Sequence, residues 1–204
     1  WDLVKRLGFT GGNVMEPSAG VGHFFGLMPQ EMAQNSNLKA YELDKITGQI
    51  LSKLYPEASV RVTGYEEAVE GSNTQDLVIS NVPFGKTAPF DVRYKDLSKF
   101  SLHNYFIAKG IQQLKPGGLG VFITSSSSMD NGASANFREW TNNQGNADFI
   151  GAIRLPNNAF SENAGTQVTT DLLIYKKRTS ETAGEFNEPY RVSVSFKETK
   201  DSKG

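Results

Sequence analysis

Residues 13–24 read NVMEPSAGVGHF. Val14 and Met15 lead into an acid and a proline, and Gly20 and Gly22 then interrupt the extended pattern before Phe24 and Phe25 resume a helical one. A strand, a glycine turn and a helix in that order open a βα unit, since glycine permits both the tight turn and close approach to a ligand. Such turns also occur as plain strand-to-helix connections. The spacing departs from the phosphate-binding G-x-G-x-x-G, and Glu16 would repel a pyrophosphate. If the turn holds a ligand, one with a cationic amino-acid end suits it better than a dinucleotide.

From this unit the same alternation continues almost to the end of the chain. Strands are predicted at 13–17, 38–43, 59–62, 76–81, 119–124, 147–155 and 167–175, with helices at 1–8, 22–29, 45–54, 99–114 and 135–142. In 99–114, Phe100, Leu102, Phe106, Ile107, Ile111 and Leu114 recur at helical spacing, and Lys115-Pro116-Gly117-Gly118 is expected to stop the helix. Strands interleaved with helices imply right-handed crossovers and an α/β fold, a mostly parallel sheet covered on both faces. The last two strands are joined by about a dozen residues without helical periodicity, which predicts an antiparallel pair at one end. The polar tail from Thr179, with its alternating RVSVSFK at 191–197, reads as an added edge strand or a linker.

Composition excludes more than it selects. The 204 residues, 38% hydrophobic, suffice for one domain with a substantial core. The chain starts at Trp1, so a piece of something longer is expected. No apolar run approaches the roughly 20 residues that cross a bilayer. With no cysteine and two histidines lacking ligand spacing, no metal site is expected; the absence of cysteine suits a reducing cytoplasm. The formal net charge of −1 carries no global signature for nucleic acid, so such a partner must be argued locally.

Three further stretches follow strand ends. In YELD (41–44), Glu42 stands where a carboxylate can accept hydrogen bonds from both hydroxyls of a ribose, or is simply a solvated acid; Asp44 suits the cap of the next helix. In TGYEEA (63–68), Tyr65 is equally readable as a surface for an adenine ring or as a half-buried tyrosine beside an acidic pair. In DLVISNVPFG (76–85), Asn81 emerges at the end of the fourth strand, beside the first, at the switch point where open α/β sheets bind ligands. Its amide oxygen and the Val82 carbonyl can accept hydrogen bonds from an exocyclic amine, Pro83 stiffens the loop, and Phe84 offers a face to a planar base. Residues 85–100 then carry four basic and two acidic side chains, Lys86 first among them. Phosphate contact is one reading of that excess, although charge alone favours a solvated loop.

Taken in order, EPSAGVG, YELD, TGYEE and SNVPFG resemble the S-adenosylmethionine-dependent N6-adenine DNA methyltransferases, whose signature is (Asn/Asp/Ser)-Pro-Pro-(Tyr/Phe/Trp). The downstream SLHNYFIAKGIQQLKPGG, ITSSSSMD and AIRLPNNAFSENAGTQVTTDLLIYKKR resemble a narrower group. These are methyltransferase domains of very large proteins, often fused to a helicase, carried by phages, plasmids and conjugative elements. The resemblance implies a Rossmann-like methyltransferase fold, with a central, mostly parallel seven-stranded sheet and an antiparallel terminal strand. It spans residues 1–178 as the catalytic domain and leaves 179–204 as a tail. It implies that Glu16, Pro17, Ser18, Ala19, Gly20 and Gly22 surround the methionine part of S-adenosylmethionine. Glu42 would hold the ribose, and Leu43, Tyr65 and Glu66 would border the adenine. Asn81, Val82, Pro83 and Phe84 would form the catalytic motif, with Phe160 and Lys86 on the substrate side.

Three departures accompany the resemblance. Val82 replaces the first proline of the signature, where only the carbonyl is needed. Gly64 stands where relatives carry an aspartate for the cofactor adenine, so Glu66 is expected to substitute. The family segment that closes over the methionine end would lie upstream of Trp1. The implied partners are DNA and other domains of a larger parent, for target recognition or helicase activity, with no membrane. RNA adenine or a protein glutamine remain alternative substrates, and a non-catalytic module that binds cofactor or DNA is the alternative of another class.

Overall fold

Seven strands form one sheet: β1 (Gly12–Glu16), β2 (Ser36–Tyr41), β3 (Ser59–Arg61), β4 (Gln75–Asn81), β5 (Leu114–Ser125), β6 (Ala147–Arg154) and β7 (Thr170–Lys177). Their spatial order is β3-β2-β1-β4-β5-β7-β6. The computed structural model that shows this describes residues 1–156 and 169–183. β1 to β5 are mutually parallel, and β7 runs antiparallel to both of its neighbours, β5 and β6. The expected antiparallel pair is therefore β6–β7, but β7 lies inside the sheet and β6 forms its edge. Burial explains the order. β7 carries Leu173, Ile174 and Tyr175 in succession, and a run that apolar needs cover on both faces, whereas β6 leaves Ile150 and Ile153 exposed.

Alternation along the strands divides the core. Met15, Tyr41, Val78, Phe122, Leu173 and Tyr175 join one cluster with residues of α5 (Leu102–Gln113) and α7 (Ala135–Asn143). Their neighbours Val14, Leu77, Ile79, Val121 and Ile174 join the opposite cluster with α1 (Asp2–Arg6) and α3 (Gln30–Gln34). Successive side chains point to opposite faces of a strand, so each central strand feeds both cores. A third cluster, Ala19, Phe25, Ala40 and Leu51, packs α2 (His23–Gly26) and α4 (Lys45–Leu54) near the β1 and β2 ends.

Helix boundaries depart from the sequence pattern in two places. The single helix expected over 22–29 is only the four-residue α2, and α3 starts afresh after Pro29 at its N-cap. Proline cannot donate into a continuing helix, which accounts for the break. Lys115-Pro116-Gly117-Gly118 does end α5, but it does so inside β5 as a bulge. Leu114 pairs with Gln75 and Leu119 with Leu77, and Gly117 at φ +81° takes up the turn. The serine run 125–128 ends β5 and opens α6 (Ser127–Asp130), an element without a periodic signal. Asp44 caps α4 as expected, accepting from the Thr47 N–H at 2.8 Å.

Candidate active site

The parallel strands β1 to β4 all end on one side of the sheet, and the turns that follow them surround a cavity of about 930 Å³. β1 contributes Pro17 and Ser18; β2 contributes Glu42, Leu43 and Asp44; β3 contributes Thr63, Gly64, Tyr65 and Glu66. Pro83 and the 87–89 segment close it from the β4 side, with Leu102 and Phe106 of α5. The chain passes from β1 outward to β2 on one side and to β4 on the other, so the cavity lies at the topological switch point.

Backbone bonds shape the turn after β1. The Ala19 N–H donates to the Tyr41 carbonyl at 3.0 Å, and the Gly22 N–H to the Ala19 carbonyl at 2.8 Å. Gly20 and Gly22 both have positive φ, +55° and +85°. A Cβ on Gly22 would also fall 2.4–2.6 Å from Tyr55 and Leu51, so this glycine serves packing as well as turning. Glu42 fastens the turn to β2: its Oε2 accepts from the Gly20 N–H and its Oε1 from the Asp44 N–H, each at 2.8 Å. Leu43 beside it is 74% exposed at the rim.

Glu16 ends β1 as a buried carboxyl group, and its Oε2 has no hydrogen-bond partner among the described residues. Burial, with the Glu42 carboxylate nearby, pushes its pKa up to about 9. An acid held this way accepts a cation readily, because a positive partner removes the cost of ionising it.

Tyr65 is deeper than either sequence reading had it. Its ring packs against Tyr41, Tyr105 and Phe106 in the core, and its hydroxyl donates to Gln113 Oε1 at 2.5 Å, so only a sliver of it borders the cavity. Glu66 lies on the cavity wall, and its carboxylate occupies the space that a side chain at position 64 would need: a Cβ on Gly64 would sit 2.2 Å from it.

Asn81 ends β4 with an exposed side chain, opposite Ile123 of β5. Val82 sends its side chain into the core and donates its N–H to the Ile123 carbonyl at 3.0 Å, anchoring the loop. Phe84 is 47% exposed. Gly85 then crosses the start of α5, accepting from the Leu102 N–H at 3.1 Å, and a Cβ there would meet the Leu102 side chain at 2.9 Å. Lys86 faces a different cavity from the one just described. Phe160 lies outside the described residues. His103 makes no approach to this cavity; its Nε2 stands 3.0 Å from Ser101 Oγ and 3.2 Å from Ser127 Oγ.

The motifs do not announce the α5 wall. Leu102, Phe106, Lys109 and Tyr105 belong to the helix whose apolar periodicity signals only core, and Asp91 reads as one acid in a basic loop. Among the described residues no group of acids and histidines is arranged to hold a metal, and no helix is long and apolar enough to cross a membrane.

Comparison with known proteins places this geometry. The family model of the Eco57I restriction-modification methylases matches residues 19–158. The defense against restriction protein B of Escherichia phage P1 is 32% identical over 188 residues, which are 90% of this chain but 8% of the phage protein. Among solved structures, a Listeria monocytogenes protein described as a class I S-adenosylmethionine-dependent methyltransferase superposes with a TM-score of 0.71. It is 18% identical, over 88% of this chain and 59% of its own. The methyltransferase subunit of a type I restriction-modification system from Streptococcus thermophilus gives 0.69 at 16% identity, over 87% and 42%. At such identities these two establish the fold.

Proposed function

The chain belongs to the Eco57I restriction-modification methylase family, and on that premise we propose that it transfers a methyl group from S-adenosylmethionine to the N6 amine of adenine in DNA. The observation that carries this reading is the position of Asn81-Val82-Pro83-Phe84. It stands at the end of β4, next to the strand that ends in Glu16, beside a cavity walled by the ends of β1 to β4.

The residues fit the cofactor. Glu16 is an ionisable acid whose Oε2 has no partner among the described residues, suited to the amino group of the methionine end, with Pro17, Ser18, Ala19, Gly20 and Gly22 around it. Each Glu42 oxygen already accepts one backbone N–H and keeps a lone pair for a ribose hydroxyl. Leu43, Tyr65 and Glu66 border the space left for the adenine. When bound, S-adenosylmethionine supplies a methyl group on a sulfonium, open to direct displacement.

Asn81 Oδ1 and the Val82 carbonyl accept hydrogen bonds from the target amine, withdrawing it from the ring and aiming its lone pair. Phe84 stacks on the base, which must first leave the duplex at a cost of a few kcal/mol. Alignment and exclusion of water do most of the work, and the product's proton can leave to water without a strong base. We assign residues 1–178 to this catalytic unit and 179–204 to an added edge strand or linker, most of which lies outside the described residues, with DNA and other domains of a larger parent as partners. The 8% share of the phage relative that this chain matches supports the larger parent.

Methylation by the full-length parent, assayed on DNA, RNA and glutamine-containing peptides, tests the reading. Asn81→Ala abolishes N6 methylation of DNA while cofactor affinity stays within about twofold. Methylation confined to RNA or peptide moves the same chemistry to that substrate, and N6 methylation by the variant refutes the role of Asn81.

A further inference from the structure

A second cavity, of about 680 Å³, opens between the catalytic loop, the start of α5 and the α6–α7 segment. We propose that it is a subsite for the nucleotide next to the target base on the same DNA strand, an inference that rests on the function proposed above. Position is the first argument. Gly85 and Lys86 line this cavity and directly follow Phe84, so a strand whose base is held at Asn81 and Phe84 continues into it. A cavity of this size matches a small-molecule site.

Charge is the second. Lys86 and Lys99 stand against a single carboxylate, Glu139, in the lining of a protein whose overall charge is −1. The positive excess is local and suits one backbone phosphate. Hydrogen-bonding chemistry is the third. The exposed carboxamides of Asn136, Asn143 and Gln144 present donors and acceptors together, the pairing that reads a base edge. Beneath them Phe100 and Trp140 form an apolar floor, their ring centroids 5.8 Å apart.

The polar wall is set before any ligand arrives. His103 Nε2 bridges Ser101 and Ser127, and Asn104 donates to Ser134 Oγ at 3.2 Å while accepting from Ser128 Oγ at 2.9 Å. This fixed wall gives the exposed side chains around it a rigid support.

The test uses the full-length parent and a duplex carrying its target site, mapped from modified bases in treated DNA. Lys99→Ala and Asn136→Ala lie outside the machinery assigned above. Each is expected to raise KM for DNA about tenfold, the worth of one phosphate or base-edge contact, with kcat, S-adenosylmethionine affinity and Tm unchanged. Lys99→Ala also reduces the salt slope of DNA binding by about one. On a substrate abasic beside the target, wild type and Asn136→Ala become equal, a convergence that a structural role does not produce. Unchanged KM in both variants of an active enzyme overturns the subsite and leaves the function standing. A wild type that binds DNA without methylating it overturns the function and, with no target base to stand beside, the subsite too; no DNA binding by wild type does the same.

Discussion

Lys109 of α5 and Asp91 of the loop after β4 form an ion pair sealed from water on both sides, with Nζ 2.7 Å from Oδ2 and both side chains 0% exposed. The same Nζ donates to the Tyr65 carbonyl at 2.5 Å, and the Tyr105 hydroxyl donates to Asp91 Oδ2 at 2.6 Å. One buried cation thus ties the turn after β3 to the loop that follows Asn81-Val82-Pro83-Phe84. Burial alone would raise the Asp91 pKa, but the hydrogen bonds from Lys109 and Tyr105 outweigh it and hold the carboxyl below its ordinary value.

Removing one member strands a charge. Lys109→Met or Asp91→Asn is expected to cost about 3–5 kcal/mol of unfolding free energy in denaturant titrations. The double substitution should cost clearly less than the sum, because neither charge is then left unpaired. Strict additivity would show that the pair is not coupled.

Glu16 gives the protein without cofactor a definite pH dependence. Between the ordinary value of 4.5 and about 9, the folded protein keeps a proton that the unfolded chain has lost. Stability therefore falls as pH rises through that window, by at most about 1.4 kcal/mol per pH unit from this group. Glu16→Gln should flatten the fall of Tm between pH 5 and 9; an identical slope in the variant would contradict it.

Cofactor binding should also release protons. A cationic amino group beside Glu16 favours its ionised form, so calorimetry at pH 7 in buffers of different ionisation heat should show proton release by wild type. Glu16→Gln should release fewer.

Gly64 and Glu66 work as an exchange. Gly64 has an ordinary backbone, φ −65° and ψ 153°, so its lack of a side chain answers to space. A Cβ there falls 2.2–2.5 Å from the Glu66 carboxylate and would push it aside. Gly64→Ala should therefore weaken S-adenosylmethionine binding about as much as Glu66→Ala does, roughly tenfold for a lost hydrogen bond to a charged group, with little change in Tm. Full affinity in both variants would exclude Glu66 from the cofactor site.

At Val82 the family signature can be restored. Val82→Pro removes the N–H that donates to Ile123 and should cost about 1 kcal/mol, measured by denaturant. Methylation should survive, since the carbonyl remains.

Fold and site were unequally readable in the residues. Strand positions followed from apolar runs, and β4, buried from Leu77 to Ser80, was found to within one residue. The cap at Asp44 rests on a contact three residues away, and so on local chemistry, whereas the glycine turn after β1 shows in its glycines but is also fastened by Tyr41 and Glu42. The break before α3 and the bulge at 115–118 are not legible in the residues, because proline and glycine say that a pattern ends and not what replaces it. The residues leave Tyr65 open because its depth depends on α5, some 40 residues away.

The order of motifs along the chain was sufficient for the α/β class, the acids at the ends of β1 and β2 and the amide at the end of β4, since each depends on neighbours in sequence. Pairing across the sheet placed β7 inside and β6 at the edge, according to which strand had to be covered on both faces. Packing of α5 against the turns brought Lys109 to Asp91 and Tyr65, and set Glu66 in the space that Gly64 leaves. Those relations join residues far apart in the chain, and their energies come from burial and close contact, which exist only once the sheet has brought its strand ends together.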